Sequence, residues 1–392
     1  MQYKFLATCP TEIQDSLTEE LKALGVNHIE QQFKAVAFTA PKELSYKLHL
    51  CTRTASRLLR VIKECRCNHI GAVTKQSSRV NWHDFITNKH EYLIEAVVAD
   101  RGPNLPTGNE LSKAVRLGLE DYFLRHSEEP PRVNLKEPDV RIIAFLRAGE
   151  LVISLDSTGK TMHKRGYRGE GHPAPIKETL AAALLAKMGY TGKETFFDPM
   201  CGSGTIAIEA AMIALNKAPL IHRKKGEFGL ENLVDFDKNL WRAVQDKIRA
   251  EKSEQSSHPI IAKDIDRHYV ESAQDNALRA RTEKYMQFST GDFFEDPAPD
   301  TTGLLLTNLP YGERIGTGID DSYEAYYKQI GDKLKQDYQG WRIGLLVSED
   351  SPYKMIGLRP KRKIPILNGS LKCRLLIFEI YAGSRKAKNT QL

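Results

Sequence analysis

The chain of 392 residues lacks any apolar run near the ~18 residues that a membrane-spanning helix requires. Its opening, MQYKFLATCPTEIQDSL, carries one lysine and soon turns polar, unlike the charged-then-apolar start of a secretory signal. Cysteine is sparse: Cys9, Cys51, Cys65, Cys67, Cys201 and Cys373 form no C-x-x-C pair, and Cys65/Cys67 has no second pair at zinc-site spacing. Reduced thiols in a cytoplasmic protein, without a metal, are the expectation. Repeats and low-complexity blocks are missing too. What is present is a hydrophobic fraction of 41%, enough for a sizeable core. Lys and Arg number 57 against 50 acids, a formal charge of +7. That excess is a mild bias toward a polyanionic partner.

Two halves differ in pattern. Up to about Leu155 the elements are short and mixed. YKFLAT reads as a strand, Thr11 to Leu24 as a helix stopped by Gly25, and AVAFTA as another strand. Between Pro106 and His126, Leu111, Val115, Leu119, Tyr122 and Phe123 share one helix face. Two apolar runs flanking Ala148-Gly149 predict a hairpin. This half reads as one or two small α+β units. STGKTMHKRGYRGEGHPAP follows as a Gly/Pro-rich basic connector. Beyond Pro175 helices alternate with short apolar strands: ETFFD, PIIAKD, MQFSTGD, GLLLTN and RIGLLVS. Such alternation predicts an α/β fold with a parallel sheet covered on both faces. KIPIL and RLLIFEIY, separated by NGSLKC, predict a terminal antiparallel hairpin, and SRKAKNTQL a frayed tail.

DPMCGSGT, Asp198 to Thr205, stands between a strand and a helix, where open α/β sheets bind ligands. A P-loop needs Gly-Lys-Ser/Thr, but Gly204 is followed by Thr205 and Ile206. G-x-G-x-x-G fails as well, since position 207 is alanine. A ligand without pyrophosphate remains, and S-adenosylmethionine (AdoMet) fits. Gly202 and Gly204 allow close backbone approach, and the helix N-terminus can meet its carboxylate. Asp198, Pro199, Cys201, Gly202, Ser203, Gly204 and Thr205 are therefore candidate cofactor residues. Later strand ends add Asp264, suited to ribose hydroxyls, with Ile265 against adenine. Asp266 could share that task or cap the next helix. Asp292 could accept from the adenine amine, with Phe293 nearby.

The fourth strand ends in TNLPYGERIG. Asn308-Leu309-Pro310-Tyr311 resembles the N/D-P-P-Y/F motif of class I methyltransferases acting on amino groups of nucleobases. The wider string resembles the N-P-P-Y-G-E-R of bacterial large-subunit ribosomal RNA guanine-N2 methyltransferases. HKRGYR, APIKETLAAALL, DPMCGSGTIAIEAAMIA and DFDKNLW are similar to that family's blocks, in its order. The first half is similar to its ferredoxin-like segment and THUMP RNA-binding domain. The resemblance implies a class I (Rossmann-like) methyltransferase domain with a terminal antiparallel hairpin, preceded by an α+β ferredoxin-like/THUMP region. It implies boundaries of 1–60 for the ferredoxin-like segment, 44–156 for THUMP, 157–175 for a basic linker, 176–384 for the methyltransferase domain and 385–392 for the tail. It further implies AdoMet as cofactor, ribosomal RNA as partner and N2 of a guanosine as target. The family usually has Pro where this chain has Leu309. Two acceptors can hold an amine whose nitrogen gains charge as the methyl arrives, and the resemblance implies that these are the Asn308 side-chain oxygen and the Leu309 carbonyl. Pro310 stiffens the loop and Tyr311 can stack on the base.

Between the halves, Lys164, Arg165 and Arg168 flank Tyr167, a pattern suited to phosphates and base stacking. HRKKGEF (222–228) and RPKRK (359–363) are further candidates for RNA contact. Two other readings stand beside the leading one. An adenine-N6 methyltransferase would use the same motif, since both targets are exocyclic amines. A non-catalytic RNA-binding or assembly protein could retain the fold, though the intact Gly-rich turn, strand-end acids and Asn308 argue against it.

Overall fold

The computed structural model describes residues 2–67, 69–100, 106–169, 176–310 and 323–381. The chain divides into two compact units, one of residues 1–162 and 220–248, the other of 163–219 and 249–392.

Among its described residues the first unit holds eight strands: β1 (Gln2–Thr8), β2 (Ile29–Gln32), β3 (Ala35–Pro41), β4 (Arg57–Arg66), β5 (Glu91–Val98), β6 (Arg132–Val133), β7 (Val140–Arg147) and β8 (Glu150–Asp156). Their order, β2-β3-β1-β4-β8-β7-β5-β6, makes one sheet. The antiparallel pairing of β4 with β8 joins what the sequence suggests as one or two small units, across a register shift between Val61 and Lys63. The helix Gly108–Arg125 starts at a capping box, in which Thr107 accepts from the Glu110 amide and Glu110 from the Thr107 amide. Its apolar face is buried as the periodicity predicts. Gly118 lies on that helix because a Cβ there would stand 2.4 Å from the Thr74 carbonyl oxygen of the neighbouring helix Ile70–Ser77.

The second unit is built on β9 (Phe196–Asp198), β10 (Ile260–Asp264), β11 (Gln287–Thr290), β12 (Leu304–Asn308), β13 (Arg342–Ser348), β14 (Arg362–Asn368) and β15 (Leu371–Glu379). The order is β11-β10-β9-β12-β13-β15-β14. β9 to β13 run parallel, whereas β15 is antiparallel to both neighbours. The terminal hairpin is tighter than the sequence suggests. Asn368 pairs with Leu371 across a two-residue turn, with Gly369 at φ 65°.

Two boundaries differ from the expected ones. Residues 157–162 pack with the first unit and 163–169 with the second, so no free-standing connector exists among the described residues of 157–175. Residues 220–248, expected within the methyltransferase domain, pack into the first unit. The reason is apolar and ionic. Trp241 meets Tyr46, Phe228 and Phe236 edge-on or tilted, and Leu230 and Leu233 are buried. Asp235 takes both oxygens to Arg60, at 2.8 and 2.9 Å, and also accepts from the Tyr3 hydroxyl. The tail 385–392 lies outside the described residues.

Candidate functional site

The order of the second sheet reverses at β9, which pairs with β10 on one side and β12 on the other. Ligands of open α/β sheets bind beyond the strand ends at such a switch point. The Gly-rich turn after β9 and Asn308 at the end of β12 both lie there.

The turn is held from several directions. The Cys201 amide donates to the Lys263 carbonyl (2.9 Å), and the Gly204 amide to the Cys201 carbonyl (2.8 Å). Asn276, from the helix Arg267–Ala280, donates to the Ser203 carbonyl at 2.9 Å. Gly204, at φ 80°, caps the helix Thr205–Ala214. A Cβ on it would meet the Ala273 Cβ at 2.8 Å, so glycine is required there by both conformation and packing. Gly202, at φ 52°, instead has no atom within 4 Å of a built Cβ. Pro199 sits in the turn directly after β9.

Asp198 and Asp264 anchor the turn from below. Asp198 is buried and accepts from the Thr307 hydroxyl at 2.7 Å, joining the ends of β9 and β12. Burial pushes its carboxyl up to about 7, against the donation from Thr307 and the Met200 amide. Burial likewise pushes the Cys201 thiol well up. Asp264 accepts from the Gly202 amide (2.8 Å) through one oxygen and from the Asp266 amide (3.1 Å) through the other. The Ile265 amide also faces this carboxylate, which retains acceptor capacity for a ligand hydroxyl. Burial raises its carboxyl above the ordinary range.

Of the two roles open to Asp266, the structure shows the cap: its side chain accepts from the His268 amide at 2.8 Å. Ile265 is 69% exposed, an apolar side chain left facing solvent beside this turn. Asp292 accepts from the Phe294 amide at 2.9 Å, and its carbonyl takes the Lys263 ammonium at 2.9 Å. Phe293 is buried against Phe294 and Tyr338.

Asn308 ends β12 opposite Leu346 and is half-buried. Leu309 does more than fill a motif position. Its side chain lies in the core with Tyr327 and Ile330, and its amide donates to the Leu346 carbonyl at 3.0 Å. A proline could not make that bond. The departure from N-P-P-Y thus replaces ring stiffness with one more rung of the β12–β13 ladder. Pro310 follows, half-buried, while Tyr311 and the Gly-Glu-Arg after it lie outside the described residues.

Most of the basic segment expected to meet phosphates is engaged within the protein. Arg165 and Glu209 form an ion pair at 3.3 Å with both side chains 0% exposed. The Tyr167 hydroxyl also donates to Glu209, and its ring is buried. Arg168 pairs with Glu178 at 3.3 Å and donates to the Thr205 hydroxyl at 2.8 Å, bracing the first turn of the donor-side helix. Only Lys164 of the four lies exposed. Buried acids on two apolar helices hold Arg165 and Arg168, partners that charge composition does not show. In HRKKGEF, Arg223 is buried and donates to the Thr158 and Thr161 carbonyls, while Lys224 and Lys225 are exposed. RPKRK is exposed, with Lys361 paired to Glu379.

Thr307, Lys263 and Asn276 were not singled out from sequence. For Thr307 and Lys263 the available signal was one polar residue inside an otherwise apolar, buried strand; the polar helix of Asn276 offered none. Among the described residues no group of three or more His, Cys, Asp and Glu is placed to hold a metal ion. No helix among them is long and apolar enough to cross a membrane.

A doubly wound sheet with a reversed last-but-one strand defines the class I methyltransferase fold, with a ferredoxin-like/THUMP region before it. More narrowly, the chain belongs to the family of the RMKL-like methyltransferase domain, whose model matches residues 165–377. An RlmL ferredoxin-like domain matches 4–59 and a THUMP domain 67–156. The chain is 32% identical over 390 residues to the ribosomal RNA large subunit methyltransferase K/L of Shewanella frigidimarina, covering 98% of this chain and 54% of that protein. It thus spans about half the length of the K/L relatives it matches. A Synechocystis sp. protein with a provisional RNA-methyltransferase name is 30% identical over 377 residues, covering 96% of this chain and 97% of its own. Among solved structures, SMU.472 in complex with SAH superposes with a TM-score of 0.86 at 24% identity, over 98% of this chain and 99% of that one.

Proposed function

We propose that this protein is an AdoMet-dependent RNA methyltransferase that forms N2-methylguanosine in 23S ribosomal RNA in the cytoplasm. The observation that carries the reading is the placement of Asn308 beside the Gly-rich turn at one switch point, tied through the Thr307–Asp198 hydrogen bond.

The turn fits AdoMet. Gly202 leaves open space where a side chain would stand, Asp264 offers acceptors at a strand end, and Ile265 is an exposed apolar surface for adenine. Asp198, Cys201, Ser203, Gly204 and Thr205 shape the turn, and Asp292 with Phe293 closes the adenine side. AdoMet supplies an electrophilic methyl group. The Asn308 amide oxygen and the Leu309 carbonyl accept from the two N–H groups of the target amine and favour positive charge on its nitrogen. Positioning of the two partners provides much of the rate. After transfer the surplus proton leaves to the surroundings of Asn308 or to water. The base has to leave its stack to enter. Relatives named for large-subunit ribosomal RNA support the substrate class, and the THUMP match supports RNA binding. Nucleoside mass spectrometry of 23S ribosomal RNA from a strain lacking the protein tests this: one N2-methylguanosine should disappear. An unchanged nucleoside profile would refute the substrate.

A further inference from the structure

Two hairpin tips of the first unit carry residues that their turns do not call for. β2 and β3 are joined by Phe33-Lys34 alone, since Gln32 pairs directly with Ala35. Two-residue hairpin turns favour Asn, Asp and Gly, which tolerate a left-handed backbone. Here Lys34 occupies that conformation at φ 53°, and the preceding position holds a phenylalanine that is 51% exposed. Neither residue serves the turn. A lysine held in a left-handed conformation is strained, and such outliers concentrate where a chain contacts something else.

The second tip supplies a cation to the same spot. Arg147, the last residue of β7, places its guanidinium 4.7 Å from the Phe33 ring centroid, and the Lys34 ammonium is 5.3 Å from it. Although four strands separate β2 from β7 in the sheet order, the sheet curves enough to bring their tips together. Packing of Leu6, Ala37 and Leu59 with Ile143 and Val152 on one face shows the same curvature. The nearby acids are engaged: Glu150 is held by Arg66 at 2.6 Å, and Asp100 accepts from the Ala148 amide. Lys34 and Arg147 are both exposed.

An exposed ring flanked by two cations has the composition of a single-stranded nucleic-acid platform, with a base on the ring and phosphates on the cations. We infer that Phe33, Lys34 and Arg147 form a contact site for an unpaired stretch of the RNA substrate. The inference rests on the RNA reading above. It assigns the contact to the seam between the ferredoxin-like and THUMP matches rather than to Arg165 and Tyr167, which are buried.

The test is an anisotropy titration of the full chain with a fluorescein-labelled unstructured RNA of about 20 nucleotides, at several salt concentrations. Phe33→Ala should weaken binding roughly tenfold or more, while Phe33→Trp should hold it. Arg147→Gln should flatten the slope of log K against log salt by about 0.7, as for one phosphate contact on a single strand. Lys34→Gly separates the readings most sharply. It should raise the melting temperature, because the strain is relieved, and yet lower RNA affinity. A turn with no RNA role would give the same rise in melting temperature with unchanged affinity, which would overturn the inference. So would wild-type affinity in both Phe33→Ala and Arg147→Gln. Failure of the wild-type chain to bind RNA even at low salt would overturn the RNA reading itself, and this site with it.

Discussion

Removing Arg165 should destabilise the second unit without touching RNA binding. Its guanidinium and the Glu209 carboxylate are fully buried, 3.3 Å apart, with the Tyr167 hydroxyl on the same carboxylate oxygen. Taking away one partner leaves a buried charge uncompensated, which costs about 3–5 kcal/mol. For a unit of this size that corresponds to a melting shift of roughly 6–20 °C. Replacing both partners with apolar residues of similar volume, Arg165→Met with Glu209→Leu, removes the charge along with its mate. The double variant should therefore recover most of the loss, and a double-mutant cycle should show coupling of about 2 kcal/mol or more. Urea or thermal unfolding, followed on the transition that responds to AdoMet, supplies the numbers. Salt dependence of RNA binding, measured on the same proteins, should not change. A single variant within about 1 kcal/mol of wild type, or a flattened salt slope, would refute the reasoning.

Three further outcomes follow from the geometry. Asp264→Ala should weaken AdoMet binding by about 1.5–3 kcal/mol, because ribose hydroxyls lose a charged acceptor and the Gly202 amide loses its partner; calorimetric titration checks it, and unchanged affinity would remove the role. The Asp198 carboxyl, raised to about 7, holds its proton more tightly when folded than when unfolded, so this group's contribution makes stability fall as pH rises from about 4 to about 7. Asp198→Asn should flatten that fall by a few kcal/mol at most, read from urea midpoints at either end of the window; a pH dependence equal to wild type would contradict the assignment. Deleting residues 1–155 should give an aggregating protein, because it uncovers Phe228, Leu230, Leu233 and Trp241 of the segment that packs in the first unit. Deleting 1–155 and also bridging 220–248 with a short flexible linker should restore solubility, as gel filtration will show; a soluble monomer from the simple truncation would refute this.

Much of the second unit was legible because its strands are short apolar runs bounded by Gly, Asp and Asn, and each boundary residue falls at a strand end. The Gly-rich turn followed from elimination of phosphate motifs. Two features were not legible. A basic run reads as solvated unless its partners are known, and Glu178 and Glu209 sit inside the apolar helices Glu178–Lys187 and Thr205–Ala214. A single acid in an otherwise apolar helix was the available sign of a buried pair. Nor does local sequence show that 220–248 leaves one unit for the other. Its helix Lys238–Ala250 buries Trp241, Val244 and Ile248, but periodicity states which face is buried, not against what. Asp266 illustrates a third limit, since ribose acceptor and helix cap demand the same residue at the same strand end.

The central claim is that Asn308 and the Leu309 carbonyl hold a guanine amine for methyl transfer. The most direct measurement is nucleoside mass spectrometry of 23S ribosomal RNA from a strain lacking the protein, after incubation with purified enzyme and isotopically labelled AdoMet. Wild-type protein should place the label on N2 of guanosine, and Asn308→Ala should lower turnover by ~10²-fold or more with AdoMet affinity nearly unchanged. Label on N6 of adenosine, no label at all, or near-normal turnover by Asn308→Ala would contradict it.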